Sequence, residues 1–338
     1  AFLTFASLRD QSATAPGQPT IDDLLNIYRF RSIDPKTNLL GVIGWPVTQS
    51  LGPLIHNAGF NTINHNAVYL PLPIAADEKD PAASDASFKA TLHAFLDDKH
   101  LDFTGASVTI PHKESAARLG REPGAEPGDL CGAANTIAVT SSGRVRTANT
   151  DARAILELLA DRVDLSTARV GVVGAGGVAR AAVAVLTQHG ATIDLFNRTL
   201  SRAENLAAEI AACLGRDCAI HPRPLRAIPD SCCDVYINCT PVGMVGRTGD
   251  GPAGNALSIP VPDMHNISEN TIFFDTIYNP VETPMLKTAR ERGCRTIDGV
   301  EMFVKQAAAQ FELWTQHPAP VMLFDRLCRD ALATPTGR

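Results

Sequence analysis

Val170-Gly171-Val172-Val173-Gly174-Ala175-Gly176-Gly177-Val178-Ala179 decides how this chain is read. A short apolar strand over 169–173 runs into a glycine cluster, and an Ala/Val-rich helix follows to about Gln188, where Gly190 stops it. A strand that turns tightly into a helix leaves unbonded N–H groups at the first turn, and these suit a pyrophosphate. Gly174 allows the turn, and Gly176 lets the backbone approach the phosphates. Ala179, in place of a third glycine, is small enough for close helix–strand packing. A ligand-free tight turn is the competing reading. The position at the opening of a βαβ unit favours a dinucleotide held by Gly174, Ala175, Gly176, Gly177 and Val178.

The end of the next strand, 191–196, sets the cofactor type. An NAD site commonly places a carboxylate there for the ribose 2′-hydroxyl. This chain has Asn197-Arg198-Thr199, with Arg202 shortly after; the arginines lie 24 and 28 residues beyond Gly174. Guanidinium groups hold a 2′-phosphate through charge-assisted hydrogen bonds, so NADP is the expected cofactor. A solvated helix start is the bland alternative for these arginines.

Working outward, residues 201–214 read as a helix and 234–238 and 271–275 as strands. Upstream, strands are expected at 39–43, 67–72 and 106–110 and helices at 53–61 and 88–98, with the Ala/Asp/Pro-rich stretch up to 85 as a loop. Alternating strands and helices with unbroken apolar strands predict an α/β chain with mainly parallel sheets. The expected fold is two α/β domains around a cleft, the second a Rossmann-like dinucleotide-binding domain. The boundaries fall at 38–148 and 149–295, and C-terminal helices over 296–330 return to the first domain. Residues 1–34, one strand, a turn and a helix from Thr20, look detached from the rest of the chain and are too few to form a core alone.

Composition narrows the function. With 45% hydrophobic and 20% charged residues, the chain is globular, and its net charge of −6 argues against nucleic acid as a partner. No apolar run reaches the roughly 18 residues of a membrane helix, and no signal-peptide order is present. The first residue is not Met, so a trimmed or longer parent is expected. Eight scattered cysteines without a Cys-x-x-Cys pair suggest reduced thiols in a cytoplasmic protein, and the nine histidines form no metal motif, so no metal is expected.

Several short polar clusters, taken in order, resemble the shikimate dehydrogenase family. They are Gly44-Trp45-Pro46-Val47-Thr48-Gln49-Ser50, Val108-Thr109-Ile110-Pro111-His112-Lys113, Gly132-Ala133-Ala134-Asn135-Thr136 and Asn149-Thr150-Asp151. The glycine turn and Asn197-Arg198-Thr199 come next, then Asn238-Cys239-Thr240-Pro241-Val242-Gly243-Met244, Tyr278-Asn279-Pro280, and Asp298-Gly299-Val300-Glu301-Met302 with Gln306. The resemblance spans about 38–325. It implies a substrate-binding and catalytic first domain and an NADP-binding second one. It also implies reversible oxidation of shikimate in the aromatic amino acid pathway, with Lys113 and Asp151 as the chemical pair. A lysine beside the reacting oxygen shuttles the proton or stabilises developing negative charge, and Asp151 orients the lysine or the hydroxyl. The same resemblance assigns Ser50, Thr109, Asn135, Tyr278 and Gln306 to substrate, and Thr240, Met244 and Gly299 to cofactor. For these residues the bland alternatives are a surface lysine, a helix cap, turn residues and packing.

Two positions depart from the family pattern. Gly52 stands where a second serine is usual, and Gln49 where histidine is common. Losing the serine removes a donor near the substrate carboxylate and implies space beside the carbon bearing it, where quinate carries an extra hydroxyl. Quinate dehydrogenase, possibly using NAD in place of NADP, is therefore the second reading. A catalytically silent nucleotide-binding regulator is a third, disfavoured by retention of Lys113 and Asp151. Residues 1–30 resemble the last part of a type I 3-dehydroquinate dehydratase barrel, chiefly through Thr14-Ala15-Pro16-Gly17-Gln18. That resemblance implies an upstream 3-dehydroquinate dehydratase domain as fusion partner and no dehydratase activity in this chain; an ordinary extension is the alternative.

Overall fold

The computed structural model describes residues 7, 19–47, 49–77, 80–121, 132–215, 218–244, 259–261 and 267–333. Most of the expected first strand, the turn over 14–18, Thr48 and Cys131 lie outside the described residues. The chain divides into two units. The first comprises 1–129, 134–148 and 307–338, and the second 130–133 and 149–306.

The first unit is built on β1 (Asn38–Gly44), β2 (Ala67–Pro73), β3 (Asp102–Val108), β4 (Thr136–Val139) and β5 (Val145–Ala148), in the order β2-β1-β3-β4-β5. The first three strands pair in parallel, whereas β4 runs antiparallel to β3 and β5 antiparallel to β4. The expectation of a mainly parallel sheet is thus corrected at one edge by a hairpin. Its strands have four residues each, too short for a clear alternating pattern, and Gly143 at φ 76° turns the chain between them.

Alternation along the parallel strands separates the two faces of this sheet. Ile43 and Val108 pack with Phe88 and Leu92 of α2 (Pro81–Asp97) and with Ala116 of α3 (Lys113–Leu119). Leu40 is paired with Tyr69, whose ring stacks on His56 of α1 (Gly52–Thr62) at 4.6 Å. Asn57 ties α1 to β2: its amide donates to the Tyr69 carbonyl and its oxygen accepts from the Tyr69 N–H, both at 2.8 Å. Helix α2 starts seven residues before its expected start at Phe88. Asp80 caps it by accepting from Ala83 N at 2.9 Å, and Pro81 occupies the first helical turn, so the apparent loop is a helix start.

Thr20 caps the N-terminal helical segment. Asp23 N donates to Thr20 Oγ1 and Thr20 N donates to Asp23 Oδ2, each at 3.0 Å. The helix ends at Ile27, and Arg29 takes a left-handed conformation before a single 3-10 turn.

The second unit carries six strands, β6 (Arg169–Val173), β7 (Thr192–Asn197), β8 (Ile220–Pro224), β9 (Val235–Asn238), β10 (Ile272–Asp275) and β11 (Arg295–Ile297). All are parallel, in the order β11-β10-β9-β6-β7-β8, the doubly wound arrangement of a dinucleotide-binding sheet. One face (Val170, Val172, Ile237, Phe274) is covered by α4 (Thr150–Ala160), α5 (Gly177–Gln188) and α6 (Leu200–Leu214). The other face (Val173, Tyr236, Phe273) is covered by α7 (Pro284–Glu291). Helix α8 (Gly299–Thr315) passes from the second unit to the first at 306/307, and α9 (Val321–Ala333) then packs against α1. No helix among the described residues is long and apolar enough to cross a membrane, and no metal-holding cluster occurs among them.

Candidate active site

In the first unit, the segments after β1 and β3 leave the same edge of the sheet and are laced together. Thr109 N donates to Ile43 O at 2.8 Å and Trp45 N to Ile110 O at 3.0 Å. Ser50 folds back so that its hydroxyl accepts from Gly52 N at 3.2 Å. Lys113 is the first residue of α3. The turn before it is anchored by His112, whose buried ring stacks on Phe88 at 5.2 Å and reaches the Ile74 carbonyl at 2.9 Å. Ala134 N donates to the Lys113 carbonyl at 3.0 Å, and Val108 N to the Asn135 carbonyl at 2.7 Å. Thr109, Lys113 and Asn135 are therefore held along one edge by backbone bonds, which gives the lysine a fixed origin.

Behind that edge runs a polar chain that the sequence did not reveal. Tyr69 donates to Ser107 Oγ and Ser107 to Gln310 Oε1, both at 2.6 Å, and Gln310 Nε2 donates to the Asn135 carbonyl at 3.1 Å and to Thr136 Oγ1 at 3.0 Å. Burial pushes the Tyr69 phenol up, so it stays protonated and donates. Only the three-dimensional pairing of β2, β3 and α8 brings these residues together. At Gly52, an added Cβ would lie 3.0 Å from Tyr69 Cε1 and 3.2 Å from Ser50 Oγ. In that direction the space expected beside Gly52 is filled by Tyr69.

In the second unit the glycine turn has the conformation its sequence demands. Gly174 sits at φ 116°, and a Cβ there would come 3.0 Å from the Cys239 carbonyl, so only glycine fits. Gly176 precedes α5 with no side chain capping the helix, and a Cβ on it would meet nothing within 4 Å. Uncapped N–H groups beside open space fit a pyrophosphate. Ala175, Gly177 and Val178 complete the turn, and Ala179 is fully buried. At the end of β7 the Asn197 amide donates to the Thr199 carbonyl at 2.8 Å. Arg198 and Arg202 are exposed and bond no carboxylate of the described residues, so both can receive a 2′-phosphate.

The remaining predicted residues also sit in this unit. Asn238 Oδ1 accepts from Thr240 N at 3.0 Å and from Thr240 Oγ1 at 2.7 Å, and Met244 N donates to Pro241 O, so Thr240 and Met244 lie on one tight loop. The Tyr278 ring packs on Phe303 at 4.9 Å, and Gln306 Nε2 donates to the Phe303 carbonyl at 2.9 Å. Gln306 Oε1 lies 3.5 Å from Thr150 Oγ1. Asp151 comes next, in the first turn of α4, and is 6% exposed. The cap of α4 is Asn149, which accepts from Ala152 N at 3.1 Å, so Asp151 is not the helix cap. Asn238, Asp275 and Thr283 form a polar group beside this loop that the sequence reading did not assign. The clue available was a polar residue ending each of two apolar strands.

Three stretches of the chain match known families. Residues 42–137 match the shikimate dehydrogenase substrate binding domain, 157–220 shikimate/quinate 5-dehydrogenase and 299–322 the shikimate 5'-dehydrogenase C-terminal domain. A shikimate dehydrogenase (NADP(+)) of Methanocella arvoryzae is 37% identical over 87% of this chain and 99% of its own length. The bifunctional 3-dehydroquinate dehydratase/shikimate dehydrogenase of Arabidopsis thaliana is 32% identical over 96% of this chain, which spans 51% of that protein. Among solved structures, a shikimate dehydrogenase in complex with NADP+ superposes with a TM-score of 0.70 at 30% identity, covering 89% of this chain and 97% of the other. A quinate dehydrogenase from Corynebacterium glutamicum in complex with NAD gives 0.70 at 28% identity, covering 87% and 99%. The chain belongs to the shikimate/quinate dehydrogenase family.

Proposed function

We propose that this chain catalyses shikimate + NADP+ ⇌ 3-dehydroshikimate + NADPH + H+, with Lys113 and Asp151 brought to the reacting hydroxyl when both ligands are bound. The observation that carries the reading is the edge of the first sheet where Thr109, Lys113 and Asn135 are fixed by backbone bonds. The nicotinamide, when bound, supplies the hydride acceptor or donor. Lys113 holds or moves the proton at the oxygen of the carbon that becomes a ketone, and as an ammonium it stabilises negative charge developing there. Asp151 orients the lysine or the hydroxyl. Ser50, Thr109, Asn135, Tyr278 and Gln306 partner the ring hydroxyls and carboxylate, which need replacements for water once enclosed. Gly174, Ala175, Gly176, Gly177 and Val178 seat the pyrophosphate, Asn197, Arg198, Thr199 and Arg202 the 2′-phosphate, and Thr240, Met244 and Gly299 the nicotinamide side.

Steady-state rates with shikimate or quinate and NADP+ or NAD+, followed at the reduced-nicotinamide absorbance, test the assignment. The shikimate–NADP+ pair is expected to give the highest kcat/KM, and a preference for quinate with NAD+ overturns it. We further infer that residues 1–34 end a dehydratase barrel. The support is that the Arabidopsis match leaves only 4% of 338 residues, about 14, uncovered, so it must enter that segment. The same preparation is accordingly expected to leave 3-dehydroquinate unchanged.

Charge-reversing both arginines (Arg198→Glu with Arg202→Glu) is expected to raise the KM for NADP+ at least about tenfold, since a charge-assisted hydrogen bond contributes roughly 1.5–3 kcal/mol. The KM for NAD+ should move little. An equal loss for both cofactors places the 2′-phosphate elsewhere.

A further inference from the structure

Among the described residues of the second unit, two carboxylates, Asp194 and Asp275, are completely buried, and they are treated differently. Asp194 in β7 is held by two cations: Arg169 reaches its oxygens at 2.7 and 3.0 Å and Arg223 at 2.9 Å. Asp275, the last residue of β10, has no cation among the described residues. Its partners are three neutral donors: Asn238 Nδ2 at 3.0 Å and Ile277 N at 3.1 Å on Oδ1, and Thr283 Oγ1 at 2.7 Å on Oδ2. A buried anion without a cation is costly, and its retention calls for a use.

The three donors show what that use is. Asn238, in register beside Asp275 on β9, passes the constraint on. Its oxygen fixes Thr240 through two bonds, its amide also reaches the Val242 carbonyl at 3.1 Å, and its carbonyl accepts from Thr276 Oγ1 at 2.8 Å. Ile277 N belongs to the turn that delivers Tyr278. Thr283 caps α7 through Leu286 N. One carboxylate thus joins the loop carrying Thr240 and Met244 to the turn carrying Tyr278.

We propose that Asp275 is a positioning residue whose ionised carboxyl sets the cofactor-side loop and the Tyr278 turn in a single arrangement. The proposal rests on the proposed roles of Thr240, Met244 and Tyr278. Ile277 N and Asn238 Nδ2 can only donate, so they bind the anion more strongly than the neutral acid. Protonation leaves Oδ1 a weaker acceptor and slackens both segments together. Burial raises the Asp275 pKa from the ordinary 3.8 to about 6, against the smaller opposing effects of Thr283, Ile277 and Asn238. No charged side chain contributes to that shift. The sign for stability is the reverse of a salt-bridged aspartate: the contribution is fully present below about 3.8 and is lost as pH rises through about 6.

The test is Asp275→Asn in the full chain, with kcat and KM for shikimate oxidation measured between pH 5 and 9 and melting measured at pH 7.5. Wild type is expected to lose kcat along an acid limb near pH 6. The variant should lose that limb, lower kcat at pH 7.5 at least tenfold, and melt no lower than wild type. A residue that merely supports the fold would instead lower the melting temperature and leave the limb in place, and that result overturns the proposal, as does kcat within twofold of wild type. Thr283→Val is the companion variant, serving if Asp275→Asn does not fold. Removing a donor to the anion should move the limb to higher pH, and an unmoved limb overturns the proposal. If the wild type oxidises neither acid, the functional assignment fails by itself, and the limb is then read from NADP+ affinity by calorimetry, where a pH-independent Kd overturns the positioning role.

Discussion

Replacing Lys113 with alanine is expected to lower kcat for shikimate oxidation by at least about 100-fold, the lower end of what a positioned acid–base group contributes. The affinity for NADPH should stay within about twofold, because the groups proposed to bind the cofactor lie in the second unit and Lys113 in the first. The Lys113 backbone starts α3 and accepts from Ala134 N, and alanine keeps both features. His112 keeps its stack on Phe88 and its bond to Ile74, so the turn should not move. Calorimetric titration with NADPH beside steady-state turnover checks the separation. Near-wild-type turnover would remove Lys113 from the chemistry, and a parallel loss of NADPH binding would make it a binding group instead.

Gly299→Ala should have the second largest effect. An added Cβ would lie 2.1 Å from the Ile277 carbonyl oxygen and 2.6 Å from Tyr278 N, both backbone atoms that no side-chain rotation can clear. Either α8 or the Tyr278 turn must shift. Overpacking of this kind costs roughly 1–3 kcal/mol, equivalent to several degrees of melting temperature. Because Phe303 on α8 packs against Tyr278, the displacement reaches a residue assigned to substrate, and kcat/KM for shikimate is expected to fall at least about tenfold, a change worth roughly 1.4 kcal/mol. Thermal melting and steady-state rates together check this. An alanine variant with unchanged melting and activity would mean that the approach of α8 to Ile277 is looser than the structure has it.

Strands β6, β7, β9 and β10 of the second unit were readable because they are mostly apolar runs and because the Gly174 turn admits few residues, whereas β8 (Ile220–Pro224) and β11 (Arg295–Ile297) were missed because they carry no such run. The boundary of α2 was missed for a local reason. Asp80-Pro81 is a capping pair, but the Ala and Asp around it carry no helical periodicity, and burial is confined to Phe88 and Leu92. The β4–β5 hairpin was missed because Thr136–Val139 and Val145–Ala148 are too short to establish a period. Among candidate site residues, those on contiguous motifs such as Lys113 and Asn135 could be proposed from the sequence. Tyr69, Ser107, Gln310 and Asp275 could not, since their chemistry arises from hydrogen bonds across as many as 203 positions of chain. Gly52 was recognised as a departure, but nothing in the sequence places Tyr69 against its Cα.

The first unit is interrupted in the chain, and that has a cost during synthesis. Domains generally fold as units while the ribosome delivers them from the N-terminus. Here residues 307–333 emerge only after the second unit, yet they supply Gln310, Phe311, Trp314 and Phe324 to the body begun by residues 19–121. The Trp314 indole, for example, must find the carbonyl of Ile137, made 177 residues earlier. Until then the apolar face of α1 is left without its cover, while residues 149–306 can close into a folded body on their own thread. Residues 19–121 should therefore need protection for longer than residues 149–306, and a chain ended at residue 306 and released should hold a finished nucleotide-binding body and an unfinished first unit.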